Sequence, residues 1–177
     1  KAIGQACAEP RLPLGYGGGV KTLEQIEKLF SLGIEKAVIN SSAFINPSLV
    51  SEAAGISGSQ SIVVSIDVRR SLFGAYEVYV NGGLTRTKTD PITYAKRMAD
   101  LGAGELILCS IDREGTGKGY DIELLDDVAK AVNIPVVGLG GAGSVGDLVN
   151  LKRKTSVSAA AAGDFFIFHG KHKAVLI

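Results

Sequence analysis

Apolar residues along the chain fall into short continuous runs, separated by longer segments in which they recur at every third or fourth position. The runs lie at Leu12–Gly15, Lys36–Asn40, Ser61–Asp67, Glu105–Ile111, Pro135–Leu139 and Ser158–Ala162. They are aliphatic or β-branched without polar alternation, which predicts strands covered on both faces, as in a parallel sheet under helices. The wider spacing predicts helices at Thr22–Leu32, Pro47–Ala54, Pro91–Leu101, Ile122–Val132 and Val145–Lys152. Strand and helix alternate in the order of βα units. One segment, "AYEVYVNGGLTRTKT" at 75–89, breaks that order. Its polar-alternating runs about "NGG" predict an exposed β-hairpin inserted after the third strand.

A repeat decides the architecture. A shift of 122 positions carries Pro13 onto Pro135, Gly18-Gly19 onto Gly140-Gly141, Leu23 onto Val145, Ile26 onto Leu148 and Leu29 onto Leu151. It also carries Ala37 onto Ala159 and "SSAF" at 41–44 onto "GDFF" at 163–166. Two copies of strand, glycine turn, helix, strand and small-residue turn predict one α/β domain over 1–177, a (βα)8 TIM barrel built from two halves. The mates of Asp67 and Asp112 under this shift fall before residue 1. Because eight βα units typically take about 250 residues, the expectation is that six are visible here and that roughly 60 to 75 residues precede them.

Composition narrows the function classes. The 177 residues are 46% hydrophobic and 21% charged, with a formal net charge of +1, enough for a substantial core and without general attraction for nucleic acid or membrane. The basic clusters Lys152-Arg153-Lys154 and Lys171-His172-Lys173 read as solvated charge or a partner contact. No apolar run approaches the roughly 20 residues of a membrane helix, and no leader pattern is present, so a soluble cytoplasmic protein is expected. Cys7 and Cys109 lack CxxC spacing and read as buried reduced thiols, and with only His169 and His172 no metal site is expected.

Several motifs carry chemistry. "GLGGAG" at 138–143 fits G-x-G-x-x-G, with Asp164 at the distance of a ribose-binding acid. Its repeat mate "GYGGGV" breaks that pattern at Val20, and a Walker A loop fails because "GVKT" has Val where Gly is required. What both turns share is bare backbone between a strand C-terminus and a helix N-terminus, suited to a phosphate oxyanion. A tight βα turn alone explains a single such turn; two matched turns favour two phosphate cups, completed by Asn40-Ser41 and Ala162-Gly163. Asp67 and Asp112 end apolar strands, where a barrel places its catalytic groups, and the competing role for each is a cap or an ion pair with Arg69 or Arg113. "DREGTGKGYD" reads as a loop closing over substrate, with Gly115-Thr116 beside the second cup, or as a merely flexible one.

Taken together, "GYGGGV", "KAVINSSAFINPSLV", "VVSIDVRR", "YEVYVNGGLTRT", "LGAGELILCSIDREGTGKGYD" and "GLGGAG" resemble the cyclase subunit of imidazole glycerol phosphate synthase over essentially the whole chain. The sugar-isomerising barrel of histidine biosynthesis shares the half-barrel repeat and is the second resemblance. The first implies a lyase of histidine biosynthesis that needs no cofactor. It would pair with a glutaminase as a heterodimer and add the released ammonia to a phosphoribulosyl nucleotide with a phosphate at each end. By resemblance Asp67 is one of two acid/base aspartates. One phosphate cup maps onto Gly18, Gly19, Asn40 and Ser41, the other onto Gly115, Gly140, Gly141, Ala162 and Gly163. Lys36 and Glu105 match charged residues on the barrel floor where ammonia enters; an ion-pair layer sealing the floor is compatible with that role. Glu114, Leu139 and Gly163 depart from the family's usual Asp, Ser and Ser. These departures and the C-terminus "FHGKHKAVLI" resemble a branch encoded with surface-polysaccharide genes, which supplies ammonia for sugar amidation.

Overall fold

A computed structural model describes residues 13–71, 74–169 and 174–175. Six strands form a parallel sheet curled into a half-barrel: β1 (Gly15–Gly17), β2 (Lys36–Ile39), β3 (Ile62–Arg70), β6 (Glu105–Ser110), β7 (Val136–Leu139) and β8 (Ala159–Ala160), adjacent in that order. Two more, β4 (Tyr76–Val80) and β5 (Thr85–Arg86), form the hairpin. The connecting helices are α1 (Leu23–Ser31), α2 (Ser41–Ile45), α3 (Ser48–Ser57), α4 (Pro91–Asp100), α5 (Ile122–Ala131), α6 (Val145–Lys154) and α7 (Asp164–Ile167). A small antiparallel pair, β9 (Phe168–His169) with β10 (Ala174–Val175), follows. Cys7, Leu12 and the Lys171–Lys173 cluster lie outside the described residues.

The core is what the apolar runs require. Ile62, Val64, Ile66 and Val68 of β3 are buried, as are Leu106 and Leu108 of β6, and the helices lay Ile26, Met98, Leu125 and Leu151 over the sheet. Gly138 makes room for two of these, since a Cβ there would stand 3.1 Å from both Leu125 Cδ1 and Leu151 Cδ2. The helices begin where side chains accept their free N–H groups: Thr22 from Gln25, Asp90 from Thr93, Asp121 from Leu124 and Ser144 from Asp147. The repeat holds in the secondary structure. Shifted by 122, β1, α1, β2 and α2 overlap β7, α6, β8 and α7.

Three local readings change. The first strand, expected at Leu12–Gly15, instead runs Gly15–Gly17. Gly17 lies so close to β2 that a Cβ would come 2.9 Å from Val38 Cβ, so glycine here serves strand packing before the turn begins. The small-residue turns after β2 and β8 are short helices. The hairpin is not simply exposed: β3 continues to Arg70 and pairs antiparallel with β4, burying Val78 and Val80. Along β3 the neighbour changes from β2, up to Val64, to β4, from Asp67 onward. That switch raises the hairpin over the end of β2.

Candidate functional site

The first glycine turn opens on a cleft of about 430 Å³ at the C-terminal end of the sheet. Gly18, Gly19, Lys21, Asn40, Ser41, Ser65 and Asn81 are among its lining residues. Gly18 and Gly19 have φ of 139° and 71°, and no atom lies within 4 Å of where their Cβ atoms would be. Glycine is therefore required by conformation and leaves backbone facing open space, the arrangement that suits an anion. Ser42 Oγ donates to the Val20 carbonyl (2.6 Å), tying this turn to the start of α2. Gly18, Gly19, Asn40 and Ser41 thus meet at one cleft, and the sequence pattern did not single out Lys21, Ser65 or Asn81, which share it. No periodic signal marks them; the hairpin's rise over β2 puts Asn81 there.

Asp67 stands one step along the same face of β3 from Ser65, in register with Cys109 of β6 on one side and Tyr79 of β4 on the other. Burial pushes its carboxyl above the ordinary value, and a hydrogen bond from the Asn40 side chain pulls it part of the way back. Cys109 is a buried free thiol, pushed up to about 12 by burial first and then by the charges of Asp67 and Glu114. It is inert as a nucleophile near neutral pH.

Asp112 is held by the end of β3. Its Oδ1 accepts from Arg69 Nε at 2.9 Å and its Oδ2 from the Arg70 backbone N–H at 3.0 Å, so the ion pair with Arg69 is formed. Arg69 in turn lies 5.1 Å from the Tyr79 ring centroid. A second tie runs from Tyr76 Oη, which donates to Asp121 Oδ1 at 2.9 Å; burial and then Asp121 push this phenol up to about 12. Arg113 Nε stands 3.5 Å from Asp121 Oδ2. The hairpin root and the β6–α5 loop are thereby held as one body.

The second glycine turn differs from the first. Gly140 and Gly141 also have positive φ, 104° and 100°, but a Cβ at Gly140 would come 2.6 Å from the Ser110 carbonyl oxygen, and one at Gly141 would collide with the Gly119 carbonyl. The Gly119 N–H donates to the Gly141 carbonyl (2.7 Å), and Tyr120 Oη donates to the Ala161 carbonyl (2.8 Å), next to Ala162. The Thr116 hydroxyl donates to the Arg113 carbonyl within its own loop. Gly115 and Gly163 do meet here, each beside a carboxylate: their Cβ positions are 3.3 Å from Asp164 Oδ2 and 3.4 Å from Glu114 Oε1 respectively. At the opposite end of the sheet, Lys36 Nζ and Glu105 Oε2 are 2.6 Å apart, joining the first residues of β2 and β6.

Among the described residues no group of His, Cys, Asp and Glu is placed to hold a metal ion, and no helix is long and apolar enough to cross a membrane. Parallel βα units curled into a half-barrel, with a glycine-lined cleft and a half-buried carboxylate at the strand C-termini, are the architecture of a (βα)8 barrel. The chain belongs to the histidine biosynthesis protein family, a family of TIM barrels, whose pattern matches residues 1–173. It is 47% identical, over 99% of its length and 70% of the relative's, to a protein of Pseudomonas aeruginosa provisionally named imidazole glycerol phosphate synthase subunit hisF2. A similarly provisional subunit hisF3 of Vibrio vulnificus is 42% identical over 99% of the chain and 68% of that protein. Imidazole glycerol phosphate synthase subunit HisF of Leuconostoc mesenteroides is 48% identical over 89% of the chain and 62% of its own length.

Proposed function

We propose that this chain is the barrel of a lyase of the imidazole glycerol phosphate synthase cyclase type. It would take ammonia from a glutaminase subunit and add it to a phosphoribulosyl aminoimidazole carboxamide nucleotide. Cleavage and ring closure would then give imidazole glycerol phosphate and aminoimidazole carboxamide ribotide. The observation that carries the reading is Asp67, half-buried beside the open glycine cleft with its carboxyl raised by burial. A carboxyl whose charged form is disfavoured by burial is suited to give as well as take a proton, as ring closure requires. Gly18, Gly19 and Ser41 would hold one phosphate by backbone N–H and hydroxyl groups, and Gly115, Gly140, Gly141, Ala162 and Gly163 the other. The Lys36–Glu105 pair would stand where ammonia enters.

The test uses the full-length protein with ammonium salts in place of the glutaminase, read for imidazole glycerol phosphate. Asp67→Asn should lower turnover by about 10²-fold or more while substrate binding is retained. Equal turnover by the variant would overturn the acid/base role.

One observation favours a second reading. The provisional hisF2 and hisF3 relatives align with 99% of the chain, against 89% for the Leuconostoc HisF. With Glu114, Leu139 and Gly163, this supports an ammonia-supplying subunit with another acceptor, such as a sugar of surface polysaccharide. Such a protein would bind and stimulate a glutaminase yet leave the bis-phosphate substrate unconverted.

A further inference from the structure

Hydrogen bonds tie the hairpin turn to Asn40, the residue whose side chain acts on Asp67. The Asn81 backbone N–H donates to Ser41 Oγ at 2.8 Å. Ser41 Oγ donates in turn to Asn40 Oδ1 at 3.4 Å. The Asn40 side chain in turn acts on Asp67, drawing its raised carboxyl value part of the way down. Both hydrogen bonds are donated in the same direction, from the turn toward Asn40, the arrangement in which successive hydrogen bonds polarise one another.

The turn that starts this line is itself fixed. Asn81 has φ of 56°, a conformation that asparagine tolerates, and its Nδ2 donates to Thr85 Oγ1 at 3.1 Å. Gly83 sits against the other half of the mouth, where a Cβ would come 2.8 Å from Ile111 Cδ1. The hairpin root is held by Arg69–Asp112 and Tyr76–Asp121. The turn therefore touches the β2–α2 junction on one side and the β6–α5 loop on the other.

We propose that the β4–β5 turn is a positioning element for Asp67, in which the Asn81 N–H, acting through the Ser41 hydroxyl and the Asn40 amide, fixes the orientation of the carboxylate toward the cleft. Ser41 thereby has two duties, one toward a ligand anion and one toward Asp67. The role in turnover rests on the cyclase reading above; the effect on Asp67 itself does not. The other groups facing Asp67 are Cys109 from β6 and Tyr79 from β4, with Arg69 stacked on the latter and Glu114 in the loop beyond.

The experiment follows the Asp67 carboxyl by carbon-13 NMR titration in the ligand-free full-length protein, for wild type, Ser41→Ala, Ser41→Thr and Asn81→Pro. Breaking the line frees the Asn40 amide, so the Asp67 titration should move to higher pH in Ser41→Ala and Asn81→Pro and stay in place in Ser41→Thr. In the turnover assay Asn81→Pro should lower kcat about tenfold with little change in KM, because misorientation acts on the chemical step. Circular dichroism confirms that each variant is folded. An Asp67 titration unmoved in both Ser41→Ala and Asn81→Pro would overturn the proposal. A shifted titration in a protein that never converts the bis-phosphate substrate would uphold the positioning role and defeat the cyclase reading.

Discussion

Asp67 carries opposite consequences for stability and for chemistry. Its folded value lies above the ordinary carboxylate value because burial disfavours the charged form. Its contribution to stability is therefore fully present at pH below the unfolded value and is lost as pH rises through the raised folded value. Asp67→Asn keeps an acceptor for the Asn40 amide and removes the ionisation. The difference in Tm, variant minus wild type, should then increase between pH 3 and pH 7 in thermal melts; a flat difference would show that Asp67 is not strained by its charge. This is the trade of stability for function expected at a working site. The residue was legible in the sequence because an acid ending an apolar run is conspicuous. Its neighbour Asn81 was not, because an asparagine before two glycines is explained in full by the turn it makes.

At the scale of elements, two glycine turns that are equivalent in sequence do different physical work. Gly19 has open space around it, so Gly19→Ala meets only the cost of a left-handed backbone, about 1–2 kcal/mol. Gly141→Ala meets that cost and a backbone collision with Gly119 as well, and should lose about 3 kcal/mol or more. Urea midpoints of the two variants check the order, and equal losses would refute it. The 122-residue echo made the turns visible, since it relates residues without reference to their surroundings. It could not reveal the asymmetry, because the atoms that crowd Gly141 come from the loop 112–121, and the matching crowding is absent at Gly19. The same limit hid the extension of β3 to Arg70: residues 69–70 are a strand through their pairing with β4.

Across the whole molecule, the sheet separates two ends with different chemistry. The mouth holds Asp67, the glycine turns and the hairpin; the floor holds the Lys36–Glu105 pair at 2.6 Å, with side chains 41% and 20% exposed. A pair so open to water adds little to stability, and Lys36→Ala should change the unfolding free energy by less than about 1 kcal/mol. If ammonia enters past this pair, the same variant should lower glutamine-dependent turnover more than ammonium-dependent turnover. A purified two-subunit assay run with each nitrogen source measures that ratio, and an unchanged ratio would remove Lys36 from the route.

The alternation of aliphatic runs with helical spacing, and the repeat within it, determined the parallel βα order and the half-barrel symmetry, because these depend on periodicities along the chain; the family came from the resemblance of its motifs. The grouping of Gly18, Gly19, Asn40 and Ser41 at one cleft was legible in the same way, since they lie at strand ends within a single βα unit and its neighbour. Only the tertiary structure decided that Asp112 pairs with Arg69, that Glu114 and Asp164 stand at the second turn, and that Asn81 reaches Ser41. Each of those depends on where β4 and the loop 112–121 come to rest. That is set by side chains more than 40 residues apart in the chain, as between Arg69 and Asp112, and no local pattern records it.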